Sequence, residues 1–107
     1  MSLAYAREKF SVARYTLASG TGRIQERLRD AWVYSLINVM PERDLPQKHL
    51  RAEFEQHAAR ITSGIPVGQE GTIAAYINTL SDEEAQEEAV WILSFIHQIA
   101  DDGDEEN

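Results

Sequence analysis

The sequence predicts an all-α protein, a compact bundle of four to five antiparallel helices with no sheet. Three observations carry that expectation. Apolar residues recur at alternating steps of three and four in segment after segment, capping residues punctuate the gaps, and no window of four to eight residues alternates apolar and polar between turn signals. A chain of 107 residues, 43% apolar and 26% charged, has the length and composition of one ordinary globular domain. Residues 1–100 are expected to form that domain, and residues 101–107 an acidic, disordered tail.

The first helix is expected over Ala4–Ala18, where Leu3, Ala6, Phe10, Ala13 and Leu17 share one stripe. Gly20 then reads as a C′ glycine and Thr21 as the N-cap of the next helix. A continuous, kinked helix is the alternative, because Gly20 and Ile24 extend the same stripe at a cost of about 1 kcal/mol per interior glycine. The second helix is expected over Arg23–Val39, with Ile24, Leu28, Ala31, Trp32, Ser35, Leu36 and Val39 on one face, ended by Pro41. Asp44-Leu45-Pro46-Gln47 predicts an N-cap and a third helix over Leu45–Thr62, with Leu50, Phe54, Ala58 and Ile61 inward. A short fourth helix over Thr72–Leu80 follows the stop signal Ser63-Gly64-Ile65-Pro66. Ser81-Asp82-Glu83-Glu84 is a capping box that opens the fifth, Asp82–Ala100, with Ala85, Ala89, Ile92, Leu93, Ile96 and Ile99 on its main face. The core expected from these stripes is Phe10, Leu17, Leu28, Trp32, Leu36, Phe54, Ile77, Ile92 and Ile96. Trp32–Ile37 echoes Trp91–Ile96, which reads as convergence of two buried helices more readily than as a repeat.

Without cysteine there is no disulfide framework, thiolate metal site or thiol nucleophile. The opening MSLAYAREKF is charged where a signal peptide needs an apolar stretch, and the longest nearly apolar run, Ala89–Ile96, is far short of the roughly 18 residues of a membrane span. A cytoplasmic protein with no membrane contact is the expectation.

Charge is segregated along the chain. Residues 1–60 hold all ten Lys and Arg beside seven acids, a balance of +3, while residues 61–107 hold eleven acids and no base. Halves of opposite sign suit attraction within one chain, between two copies, or between the acidic half and a basic protein partner. Helices two and five carry more apolar surface than one stripe each can bury: Val33, Ile37, Val90, Trp91 and Phe95 fall outside the main faces and are the candidate interface of a homodimer. The leading functional expectation is therefore a non-catalytic interaction protein that self-associates through its helices.

The second expectation is a nucleic-acid-associated accessory protein, because Arg23, Arg27 and Tyr34 fall on one side of helix two, where guanidinium and phenol groups could grip an anion or stack on a base. A third comes from Arg43-Asp44 followed by His49, and Arg51 followed by His57. An Arg several residues ahead of a His is similar to the motif of HEPN ribonucleases, small helical proteins in which that pair cleaves RNA without metal. About one such pairing is expected by chance at this composition, so the pattern assigns no family. His49, Glu53 and His57 lie one turn apart, but two ligands from one helix are too few for a metal, and neither metal nor cofactor is expected.

Overall fold

A computed structural model describes residues 3–103. They form six α-helices and one 3-10 turn, with no strand: α1 (Ala4–Ser19), α2 (Ile24–Tyr34), the 3-10 turn (Leu36–Asn38), α3 (Pro41–Asp44), α4 (Lys48–Ile61), α5 (Gly71–Ile77) and α6 (Asp82–Gly103). The all-α expectation holds, with four long helices and two short ones.

The break between α1 and α2 differs from the expected glycine cap. Gly20 is extended (φ −67°, ψ 148°) and not left-handed, and Arg23, not Thr21, occupies the N-cap of α2. Glycine is required there for space, because an added Cβ would strike the aliphatic stem of Arg27. That arginine turns back and donates to the carbonyls of Leu17 (2.8 Å), which the end of α1 leaves open, and of Gly22 in the linker (3.1 Å).

Helix two stops at Tyr34, well before Pro41. Ser35 leaves helical geometry (φ −138°, ψ −68°) and its hydroxyl donates to the carbonyl of Lys9 at 2.6 Å, a tertiary bond that competes with the helix ladder. The 3-10 turn that follows still carries Leu36 into the core. Pro41 begins α3 instead of ending α2. Asp44 is not the N-cap of α4: its buried carboxylate accepts the Met40 N–H (2.8 Å) and both arms of Arg43 (2.8 and 2.9 Å), closing the single turn of α3. The Arg43 bonds hold the Asp44 carboxyl below the usual range against the opposing pull of burial. Helix four then starts at Lys48, where Arg51 reaches back to the carbonyls of Leu45 and Pro46.

The capping box of α6 forms as read: the Glu84 N–H donates to the Ser81 hydroxyl (3.1 Å) and the Ser81 N–H to the Glu84 carboxylate (2.9 Å). Helix six continues to Gly103, three residues into the expected tail, and the rest of that tail lies outside the described residues. Its inward face is rotated from the expected one. Ala85, Glu88, Ala89, Ile92, Phe95 and Ile99 are buried, whereas Leu93 is exposed and Ile96 only partly covered.

At the centre lie the rings of Phe10, Trp32, Phe54 and Phe95, all fully buried, with Trp91 at their edge. Phe10 meets Phe95 at 5.0 Å and Phe54 edge-on at 6.0 Å, and the indoles of Trp32 and Trp91 lie nearly parallel at 6.4 Å. Cross-links give the helix directions. Lys9–Ser35 and Leu17–Arg27 set α1 against α2, Arg7 to the Ile99 carbonyl (3.2 Å) sets α1 against α6, and Glu53–Gln98 with Arg60–Glu88 sets α4 against α6. Helices α2 and α6 therefore run parallel, with α1 and α4 antiparallel to both. The Trp32 and Trp91 strings present different faces, since Ser35 is buried where Ser94 is exposed, so the sequence echo is not a structural repeat. No helix among the described residues is long and apolar enough to cross a membrane.

Candidate interaction surface

Because α1 is antiparallel to both α2 and α6, the end of α1 and the beginnings of α2 and α6 converge at one end of the molecule. An open groove of about 450 Å³ runs between them. Its deep side is apolar, formed by Leu17, Ile24 and Ala89, which are buried or half-buried, while Val90 and Leu93 line it from α6 at 52% and 41% exposure. Arg14 and Arg27 contribute from the α1 and α2 sides. The stem of Arg27 forms wall, and its guanidinium is already spent on the Leu17 and Gly22 carbonyls.

A shallower depression lies beside the groove, lined by Glu83, Gln86, Glu87 and Val90. Gln86 and Val90 line both and so form a ridge with an apolar groove on one flank and carboxylates on the other. Arg14, Glu83 and Glu87 have no ion-pair partner among the described residues. The neighbouring Asp82 is occupied: it accepts from Gln25 (2.8 Å) and Arg23 (3.4 Å), and these bonds lower its carboxyl pKa.

The structure divides the five candidate interface residues. Val90 lines the groove, and Val33 and Ile37 are exposed on α2 and the 3-10 turn without lining it. Phe95 is corrected: it lies wholly within the aromatic core and is not a surface contact, while Trp91 is half-buried, its ring stacked on His57 and its N–H bonded to Glu53 of α4. Steps of three and four through Ala85, Glu88, Ile92, Phe95 and Ile99 mark the true inward stripe, and Leu93, expected inside, takes the outward place.

The anion-binding trio does not assemble. Arg23 pairs with Asp82, Arg27 caps α1, and Tyr34 stands 74% exposed at the far end of α2, about 10 Å along the axis from Arg27. Beside them Arg29 pairs with Asp30 (3.1 Å), and the Glu26 carboxylate accepts the Arg23 N–H. Nor do the Arg–His patterns make a joint site. Arg43 bonds Asp44 and lies over the Tyr5 ring, and Arg51 serves backbone carbonyls. His49 is exposed on the first turn of α4, and His57 stacks on Trp91 at 3.8 Å.

Sequence reasoning missed a polar clasp between α4 and α6. His57 Nδ1 lies 3.2 Å from the Glu88 carboxylate, Arg60 lies 3.7 Å from its other oxygen, and the Trp91 N–H donates to Glu53 at 2.7 Å. Tyr76 lines a cleft of about 300 Å³ with His57, Arg60 and Glu88, and burial pushes its phenol pKa up. The one available signal was Glu88, an acid on the period of the α6 core stripe, which demands a buried partner. Among the described residues no group of three or more His, Asp or Glu is placed to hold a metal ion.

Fold and surface together define a small helical domain with an open, partly apolar groove at one end. Comparison with protein families, curated proteins and solved structures finds no match.

Proposed function

We propose that this chain is a non-catalytic interaction module that works by helix-mediated self-association. The observation that supports the reading is the α6 side of the groove, where Val90 and Leu93 remain 52% and 41% exposed beside an apolar recess instead of being scattered singly over a polar surface. Covering them gains about 25 cal/mol for each Å² of apolar area removed from water, which favours a partner surface over solvent. The engagement of Arg43, Arg51 and His57 in separate structural contacts argues for association over ribonuclease chemistry.

Association couples stability to concentration, because a partner that binds only the folded chain shifts unfolding by mass action. The melting temperature should rise as protomer concentration is raised about a hundredfold. A melting temperature independent of concentration would count against the proposal.

A further inference from the structure

The self-association reading leaves the interface unspecified, and resting on that reading we propose that the occupant of the groove is a second copy of this chain. The Gln86–Val90 ridge of each copy seats in the groove of the other, and Arg14 of each faces Glu87 of the other. The warrant is the order of features across the surface: an arginine on α1 without an ion pair among the described residues, an apolar groove, a ridge on α6, then carboxylates likewise unpaired among the described residues. A two-fold axis reverses that order in the second copy. Reversal lays ridge on groove and groove on ridge, and at the same time sets Arg14 against Glu87 at both ends. One operation thus satisfies shape and charge together, which a helix without the flanking acids would not do.

Two further points favour a second copy as occupant. The groove draws its base from the basic half of the sequence and its neighbouring acids from the acidic half, so the segregation of charge along the chain becomes complementarity between copies. Arg14, Glu87 and Val90 are all exposed, so none needs to leave an existing contact before docking.

The test is a charge exchange read by sedimentation velocity. Arg14→Glu alone and Glu87→Arg alone each set like charges opposite one another twice in a symmetric dimer, and each should weaken association about tenfold or more. Mixing the two variants restores both pairings in a heterodimer, and so does Arg14→Glu/Glu87→Arg in one chain. Val90→Glu should abolish the dimer by placing a carboxylate in the recess. Circular dichroism should show native helix content in every variant, since all three positions face solvent, and the exchange pair decides the matter should Val90→Glu fail to fold. A wild-type dimer that survives these changes, or single variants that stay monomeric when mixed, overturns the ridge-in-groove arrangement while leaving self-association standing. A wild-type monomer overturns both.

Discussion

Replacing Trp32 with phenylalanine tests the account of the core, because two opposing terms can be set side by side. The indole is completely buried, and its Nε1–H has no hydrogen-bond acceptor among the described residues. Phenylalanine keeps an aromatic ring against Phe54 and Trp91 but leaves a void of roughly 40 Å³, which at about 24 cal/mol per Å³ costs about 1 kcal/mol, and loses about another 1 kcal/mol of transfer free energy with the deleted ring atoms. Removing an unpaired buried N–H recovers about 1–3 kcal/mol of desolvation. The terms nearly cancel, so Trp32→Phe should leave stability within about 1 kcal/mol of wild type, whereas Trp32→Ala should cost about 3–5 kcal/mol. Urea unfolding followed by circular dichroism at fixed protein concentration separates the two. A Phe variant as unstable as the Ala variant would refute the reasoning and mean that the indole N–H has a favourable partner, such as a neighbouring ring face.

Three shorter predictions follow. Gly64→Ala should destabilise by about 1–3 kcal/mol, because the new Cβ would fall on backbone atoms of Thr72 and Tyr76 in α5, and a urea midpoint equal to wild type would contradict that close approach. Asp44→Asn should cost about 1.5–3 kcal/mol at neutral pH by losing its charge-assisted bonds to Arg43, and unchanged thermal unfolding would contradict that. The folded Asp44 carboxyl titrates below its unfolded value, so its contribution is present above the unfolded pKa and lost as pH falls through the folded one. Between neutral and acid pH the wild type should therefore lose its advantage over Asp44→Asn, and an advantage that persists in acid would show the pairing to be unimportant.

The stripes of α1 and α4 and the capping box of α6 were legible because each depends on residues within a few turns of one another. The early end of α2 was not, since the Ser35 hydroxyl answers a carbonyl on Lys9 across the bundle and local pattern favoured continuation to Val39. The rotation of α6 was hidden for a different reason. Along Ala89–Ile96 nearly every side is apolar, so periodicity could not decide between Leu93 and Phe95, and the aromatic contacts of Phe95 with Phe10 and Trp91 decided it. Exchange of those two places moved Phe95, expected at the interface, into the core and Leu93, expected on the main face of the last helix, to the surface. Of the candidate interface only Val90 was legible in the place where the groove needs it. The groove itself was beyond reach of the sequence, because it exists only where three helix ends meet.

Static light scattering at micromolar concentration, in low and then in high salt, tests the central claim most directly. The chain has a mass of 12.1 kDa. Each copy carries a net charge of −8, a long-range repulsion that salt relieves, while the Arg14–Glu87 pairings act at contact and are weakened by the same salt. The account predicts a mass about twice that of the chain at micromolar concentration, with salt weakening the dimer of the wild type relative to that of Arg14→Ala/Glu87→Ala, which lacks the pairings and has the same net charge. The same salt response with and without the pairings would contradict the charge register, and a single-chain mass at every concentration and salt would contradict self-association itself.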